Sequence, residues 1–415
     1  MQRRFWVVAL VLICLVSNVC TADELKQVVI VTRHGVRAPT WTRERLNQYS
    51  VSPWPDFGVP PGNLTPHGRK LMTIMGQFYR DLYSKSGLLG GPDCSDVKRT
   101  YFYADTDQRT LETAHALVEG MLPGCKADVY SVKVGSSDPL FDGVANTDLK
   151  MSEASVRGRI GPSLESLSDV YRGDFQILER VLNGAGKANK SIYDDPIALK
   201  SDKDALSMTG PLATSSTFTE NLLLEYANGL SGEQFAWGRL TRSELQQLLV
   251  LHTAYAELMR RTPYLAKVRG SNLLSHILLT MEQSTTGRVM RGAVGPTPAS
   301  LVVVVGHDTN ISNLSSLLGL SWVVASHQVD DVPPGGALVF SLWKSSSGSY
   351  SVRLQFMVQT LDQMHNATPL TLENPPVIAD LFLPGCSTSS AGYPCDWSIF
   401  RRLTTGVIDP AFVEK

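Results

Sequence analysis

Three short polar segments carry side chains whose types could bind and transfer an anionic group. Guanidinium groups hold phosphate oxygens two at a time, and three arginines gathered in one pocket require a negative charge between them. A neutral imidazole can attack phosphorus once those oxygens are neutralised. The side chains concerned, in chain order, are Arg33, His34, Arg37, Arg109, His307 and Asp308.

These residue types suggest a division of labour in phosphoryl transfer. His34 would be the nucleophile, and His307 would donate a further hydrogen bond to the phosphoryl group. Asp308, with its proton retained beside the leaving oxygen, would be the general acid, and its carboxylate would later activate water. Because guanidinium groups supply the charge neutralisation, this chemistry needs no metal and no other cofactor.

Three apolar runs precede the polar segments and must position them. These short runs consist mostly of β-branched and aromatic residues, which is typical of buried strands. They are residues 28–32 (VVIVT), 100–104 (TYFYA) and 301–305 (LVVVV). Each is followed by a polar turn and a helical pattern, so we expect an α/β sheet with helices on both faces. Ligands bind at the carboxyl ends of such strands, and the three segments should therefore converge.

The rest of the chain divides into two parts by its pattern. Between residues 140 and 262 helical spacing dominates, which predicts a mainly helical inserted domain. Residues 23–139 and 263–415 would then form a three-layer α/β/α sandwich domain. Alternating residues at 337–344 and 351–358 predict an antiparallel hairpin at one edge of its sheet.

The first 22 residues are typical of a secretory signal peptide, with a basic start, an apolar run from 5 to 16 and small residues before a cleavage site after Ala22. An uncleaved anchor is the alternative, but the run is shorter than the roughly 20 apolar residues that span a bilayer. A lipid anchor at Cys20 is disfavoured by the large Val19 before it. We expect a periplasmic or secreted protein without membrane contact.

Four cysteines follow the signal segment, and an even number in a secreted chain suggests two disulfides. Cys386 and Cys395 bracket a short loop and are expected to pair, which leaves Cys94 with Cys125. A zinc site would need closely spaced thiol or histidine pairs, which the sequence lacks.

Composition favours a globular protein with a small-molecule substrate. The 415 residues are 43% hydrophobic and 19% charged, with a formal net charge of -1. Such a chain has no overall field that would attract nucleic acid or an anionic membrane. We expect a monomer that acts on a small phosphomonoester.

Residues 33–40 (RHGVRAPT) resemble the signature of the histidine acid phosphatases, and residues 306–310 (GHDTN) resemble their second motif. The resemblance implies hydrolysis of phosphomonoesters at acid pH, without metal, through a phosphorylated His34, with Asp308 as proton donor. It places Arg33, Arg37, Arg109 and His307 in the phosphate pocket. Further stretches resemble the bacterial periplasmic acid phosphatases with phytase activity: 105–114, 237–240, 261–263 and 333–336.

The same resemblance places Thr40, Trp41, Glu220, His252 and Arg269 in the substrate cleft. Phytases tend to carry a lysine where this chain has Trp41, and a flat aromatic wall there suits a sugar or aryl leaving group better than a polyanion. Phytase-type or broad acid phosphatase activity and a glucose-1-phosphatase-like activity therefore both stay open.

Two other classes of protein are disfavoured by the same residues. Cytosolic phosphoglycerate mutases and regulatory phosphatases share the arginine-histidine-glycine core, but the secretory leader and the late His-Asp pair argue against them. A non-catalytic anion-binding protein would need a broken nucleophile or acid, whereas His34 and Asp308 are both present.

Overall fold

The computed structural model describes residues 23–90, 93–144, 147–202, 205–297 and 299–415. The predicted signal peptide lies outside the described residues. The strands are β1 (Glu24–Arg33), β2 (Thr100–Ala104), β3 (Val129–Tyr130), β4 (Ala198–Asp202), β5 (Ala205–Thr209), β6 (Leu301–Gly306), β7 (Ala337–Lys344), β8 (Tyr350–Val358), β9 (Val377–Leu381) and β10 (Cys395–Asp396). The α-helices are α1 (Arg43–Leu46), α2 (Pro66–Lys85), α3 (Gln108–Met121), α4 (Pro139–Asp142), α5 (Leu149–Arg157), α6 (Ser166–Val170), α7 (Arg172–Asn183), α8 (Pro211–Ala227), α9 (Arg242–Leu248), α10 (Val250–Met259), α11 (Pro263–Thr286), α12 (Asp308–Leu318), α13 (Leu361–His365) and α14 (Trp397–Val407).

One large mixed sheet forms the centre of the described chain, with strand order β10-β8-β7-β1-β6-β2-β3 and β9 paired to β8. Strands β1, β6, β2 and β3 run parallel, and β7 runs antiparallel to β1. Arg33 lies opposite Gly306, and Ala104 lies opposite Val305. The carboxyl ends of β1, β6 and β2 are therefore level with one another at one edge of the sheet.

Apolar side chains cover both faces of this sheet, as expected of three layers. Val28 and Ile30 of β1 join the cluster that contains α2 and α3, whereas Val29 and Val31 join the cluster that contains α11, α12 and α14. The first cluster continues into the helical segment through residues such as Phe218 of α8. The helical segment thus shares its hydrophobic core with one face of the sheet, and its status as a separate domain stays a prediction.

The structure corrects one expectation about the strands and adds a detail to another. The hairpin of β7 and β8 forms, but it is not at the edge, because β9 and β10 both pair with the outer side of β8. The segment between residues 140 and 262 also contains a small antiparallel hairpin, β4 and β5, besides its helices. These added strands are only two to five residues long, so tertiary pairing rather than local pattern determines them.

The cysteines pair as predicted, Cys94 with Cys125 and Cys386 with Cys395. The first disulfide joins the turn before β2 to the segment after α3, and the second closes the loop that leads into β10.

Within the described residues, the helices are too short or too polar to cross a bilayer.

The loop after β1 is seated against the start of α2. Thr65 caps this helix by accepting a hydrogen bond from Gly68 N, and its own N–H donates to Val36 O at 3.0 Å. A Cβ on Gly68 would lie 2.1 Å from Val36 O, so only glycine allows the approach. This contact fixes the loop between His34 and Arg37.

Candidate active site

The three polar segments meet at the carboxyl ends of β1, β6 and β2, as the sequence predicted. His34 follows β1, and its backbone N–H donates to Gly306 O at 2.9 Å. The rings of His34 and His307 lie edge to face with centroids 5.6 Å apart. Arg109 is the second residue of α3, where free backbone N–H groups already favour an anion.

A hydrogen bond from one ring nitrogen orients His34 and leaves its other ring nitrogen, Nε2, available for reaction. Its Nδ1 lies 2.8 Å from Gly35 O, and since a carbonyl oxygen only accepts, Nδ1 carries the hydrogen. Burial lowers the pKa of His34 well below its usual value, and the positive charges of Arg33 and Arg37 lower it further. The Nε2 lone pair is therefore available even in acid.

This lowered pKa has a measurable consequence. An ordinary histidine, with a pKa of about 6.5, gains its proton between about pH 7 and about pH 5. Because the folded protein disfavours the charged imidazole, we expect His34 to stay neutral across that interval. The ¹⁵N shifts of its ring in the ligand-free protein measure this, with His34→Ala assigning the signal. A titration midpoint near the ordinary value would contradict the environment described here.

Glu220 of α8 supplies the negative charge that the arginines require. One of its carboxylate oxygens contacts Arg33 Nη2, and the other lies 3.1 Å from Arg37 Nη2. Burial alone would raise the pKa of Glu220, but Arg37 and Arg33 lower it to about 2. Glu220 is thus an ionised counterion within the pocket, and substrate phosphate is not the sole charge between the arginines.

Two of the arginines keep donor capacity for an anion. Arg33 donates to Val332 O at 2.6 Å and to Glu220, and Arg109 pairs with Asp107. The Nε atoms of Arg33 and Arg109 are buried and have no hydrogen-bond partner among the described residues. A bound oxyanion is the kind of group that satisfies such donors.

His307 is oriented by a carboxylate that the sequence did not single out for a role. Its Nε2 lies 2.6 Å from Asp105 Oδ2, at the end of β2. Burial would raise the pKa of Asp105, but the hydrogen bonds from His307 and Thr106 N lower it. An ionised Asp105 therefore fixes the His307 ring beside His34.

Asp308 is the first residue of α12 and is engaged on both oxygens. Oδ1 accepts from Thr309 N at 2.8 Å, and Oδ2 lies 2.6 Å from Arg260 Nη1. Arg33 Nη2 and His252 Nε2 are each 3.8 Å from the same oxygen. Burial would raise the pKa of Asp308, but Arg260 and then Arg33 hold it well below its usual range. These contacts favour the carboxylate form of Asp308, and the role of Asp308 as general acid stays a prediction.

A cavity of about 360 Å³ adjoins these groups. Trp41, Glu220 and His252 line it, as expected of a substrate cleft, together with Arg45 and Arg260. The Arg45 guanidinium lies 3.4 Å above the centre of the Trp41 ring. The aromatic wall at this position therefore carries a cation on its face.

The remaining two predicted cleft residues, Thr40 and Arg269, are not among the residues that line this cavity. Thr40 is exposed. Its methyl group and Arg109 Nη1 both lie within 4 Å of the position that a Cβ on Gly62 would take. Arg269 lies on α11 with its backbone against Gly143. Burial lowers the pKa of Arg269, and the nearby charge of Arg260 adds to that effect.

Two groups of side chains have ligand atoms close enough to hold a metal ion. One is Asp105, Asp107 and His307, and the other is Glu220, His252 and Asp308. Their carboxylates are already engaged by His307 or by arginines, and adjacent guanidinium charges oppose a divalent cation. The donor sets therefore suit an anion site better than a metal site.

A layered α/β sheet with a neutral histidine and arginines at the ends of its parallel strands defines a phosphatase of the histidine type. The chain belongs to the histidine phosphatase superfamily (branch 2), whose family model matches residues 24–357. The resemblance stated from the two sequence motifs is thereby confirmed.

Curated and solved relatives cover nearly the whole chain. Phytase AppA of Escherichia coli is 34% identical over 94% of this chain and 93% of its own length. A glucose-1-phosphatase of Providencia rettgeri is 26% identical over 93% of this chain and 92% of its own. The structure of Hafnia alvei phytase in complex with myo-inositol hexakis sulphate matches with a TM-score of 0.85 at 32% identity, covering 95% of this chain and 99% of that one.

Proposed function

We propose that this chain hydrolyses phosphomonoesters through a phosphohistidine at His34, and that its preferred substrates are inositol polyphosphates. The observation that carries the proposal is the neutral imidazole of His34, whose Nε2 is free among three arginines. Such a nitrogen is a nucleophile at acid pH, and the arginines neutralise the oxygens that would repel it.

In the first step, Arg33, Arg37 and Arg109 hold the non-bridging oxygens of the phosphate group. His34 Nε2 attacks phosphorus in line with the ester oxygen, a P–N bond forms and the P–O ester bond breaks. The proton of the Asp308 carboxylic acid passes to the departing oxygen, which leaves as an alcohol.

In the second step, water attacks the phosphohistidine. The Asp308 carboxylate takes a proton from that water, a new P–O bond forms and the P–N bond breaks. Inorganic phosphate leaves, His34 returns to its neutral form and Asp308 is again a carboxylic acid. Once the phosphate no longer offsets the charge of Arg260 and Arg33, Asp308 releases that proton to solvent and the cycle closes.

Asp308 must gain the proton that it lacks in the ligand-free site. A phosphate dianion placed among the arginines partly cancels their effect on Asp308, which favours the protonated carboxyl. At acid pH the substrate also carries protons of its own. Substrate binding therefore supplies both the charge and the proton that the first step needs.

Two observations bear on the substrate. Phytases are among the relatives, and the Hafnia alvei enzyme was solved with a sulphate analogue of a fully substituted inositol. In this chain Arg45 and Arg260 line the cavity together with the carboxylates Asp195 and Glu220. Glu220 is already paired with Arg33 and Arg37, so Arg45 and Arg260 are the cations that a second anionic group of a substrate would meet. The second candidate is a glucose-1-phosphatase activity, supported by the relative of that name and by the flat wall of Trp41.

The test is hydrolysis by the purified protein, from acid to neutral pH, of phytate, glucose 1-phosphate and p-nitrophenyl phosphate. We expect release from all three, with kcat/KM highest on phytate by about tenfold, the gain of about 1.4 kcal/mol that one added charge contact can give. EDTA should not lower any rate. A preference for glucose 1-phosphate would favour the second candidate. Absence of phosphate release from every substrate would refute the proposed phosphatase activity.

We further propose export to the periplasm through the segment 1–22. The two disulfides are typical of an oxidising compartment, and the relatives are bacterial phosphatases. A fusion of residues 1–22 to a reporter that folds only after export is the direct test of this leader.

A further inference from the structure

Arg260 ends α10 and binds the proposed general acid. Its backbone N–H donates to Ala256 O at the C-terminus of the helix, and its side chain is only 16% exposed. The distance of 2.6 Å from Nη1 to Asp308 Oδ2 is the shortest ion-pair contact of that carboxylate among the described residues. Arg260 also lines the substrate cavity.

This contact opposes the role that Asp308 has in the reaction. A carboxylate paired with a guanidinium resists protonation, whereas a general acid must carry a proton when the ester bond breaks. The charged or titratable groups that face Asp308 lie on several elements: Arg33 on β1, Glu220 on α8, His252 and Arg260 on α10 and at its end, and Asp330 and Asp331 in the loop before β7. Of these side chains, Arg260 alone lies within hydrogen-bond distance.

We propose that Arg260 is a positioning residue with two alternative partners, the Asp308 carboxylate in the empty site and a second anionic group of a polyphosphorylated substrate in the occupied site. The inference rests on the proposed function and names the substrate class that the site distinguishes. When the guanidinium turns to the second phosphate, Asp308 loses its ion pair and takes up the proton that it later donates.

The geometry of the cavity supports this exchange. Arg260 lines the same cavity as Arg45, together with Asp195 and with Glu220, which Arg33 and Arg37 neutralise. A ring phosphate that enters the cavity therefore meets two guanidinium groups and one carboxylate, Asp195, that has no arginine partner of its own among the described residues. A phosphate dianion carries more charge than one carboxylate and competes with it for the guanidinium. A monophosphorylated sugar brings no second anion, so Arg260 stays on Asp308 and the departing alkoxide is poorly protonated.

The discriminating variant is Arg260→Gln, assayed at about pH 5 on the three substrates named above. We expect kcat on glucose 1-phosphate to rise about tenfold and KM for phytate to rise about tenfold, each corresponding to the loss of one charged contact. The kcat on p-nitrophenyl phosphate should change little, because its phenolate leaves without protonation. The pH above which kcat on glucose 1-phosphate falls should also move upward, since Asp308 keeps its proton longer.

Arg260→Lys and Arg402→Gln complete the experiment. The lysine keeps a cation and should restore a low KM for phytate together with slow turnover of glucose 1-phosphate. Arg402 is exposed on α14, and its replacement controls for the loss of an arginine elsewhere. Equal losses of Arg260→Gln on all three substrates, or an unchanged pH profile, would overturn the inference. Wild-type protein inactive on every substrate would refute the proposed function itself.

Discussion

Alanine in place of His34 is expected to abolish turnover of every phosphomonoester, with kcat lower by at least about 10⁴-fold. The imidazole is the proposed nucleophile, and His307 cannot take its place because it follows β6 and is held by Asp105. The fold should persist, because the backbone N–H of residue 34 keeps its bond to Gly306 O, and among the described residues its side chain bonds only to Gly35 O. Initial rates and circular dichroism of both proteins measure these two effects.

A trapping experiment makes the same expectation specific to covalent chemistry. Wild-type protein quenched in base during turnover of a ³²P-labelled ester should retain acid-labile label, as phosphohistidine does, and His34→Ala should retain none. A His34→Ala protein that still turns over substrate at a tenth of the wild-type rate would remove the central proposal. Label found on another residue would assign the nucleophile elsewhere.

Asparagine in place of Asp308 is expected to lower kcat on phytate by about 10²- to 10⁴-fold, the range that general acid catalysis contributes. On glucose 1-phosphate the loss should be about tenfold smaller, because Arg260 keeps Asp308 mostly ionised with that substrate. The amide has nearly the same size but carries no transferable proton. On p-nitrophenyl phosphate the loss in the first step should be far smaller, because the phenolate is a good leaving group. Rates on the three substrates, each as a ratio to wild type, measure the difference.

The leaving-group dependence is what separates a general acid from a structural residue. If Asp308→Asn lowers kcat equally on alkyl and aryl esters, Asp308 acts in positioning or in the water step alone. Arg260→Gln in the same assay is the matched comparison, because it removes the other half of the ion pair and should act in the opposite direction on glucose 1-phosphate. A shared loss in both variants would indicate that the pair itself is structural.

The layered fold and the convergence of the three segments follow from local patterns. The runs at 28–32, 100–104 and 301–305 are apolar enough to be buried on both faces, and parallel strands bring their carboxyl ends to one edge. The motif residues sit immediately after these strands, so their positions in space are determined once the sheet forms. Thr65 and Pro66 likewise predict the start of α2 because capping is a local interaction.

Arg260 shows where such inference stops. Arg260 and Arg261 are neighbours of the same type, yet Arg261 pairs with Glu257 and Asp330 while Arg260 pairs with Asp308. The direction of each side chain depends on where α10 ends and α11 begins. Pattern gives helix ends only to within a few residues, and a shift of one residue would exchange the two arginines.

Glu220 and Asp105 illustrate the same limit for charge. Their partners lie far along the chain, at Arg33 and Arg37 and at His307, and a carboxylate in a helix or a turn is usually a solvated surface group. Nothing in the sequence places Arg45 at the cavity, and only its contact with the Trp41 ring in the structure shows that this wall carries a cation. These residues become recognisable only when tertiary structure brings them together.

The placement of β9 and β10 has a consequence for behaviour in concentrated solution. A nine-residue strand such as β8, left unpaired on one side, would present a row of free backbone groups to any other extended chain. Here two short strands cover that side, and at the opposite end the sheet finishes in β3, which is only two residues long. The large sheet therefore offers little template for intermolecular strand addition and should resist edge-to-edge aggregation while the protein is folded.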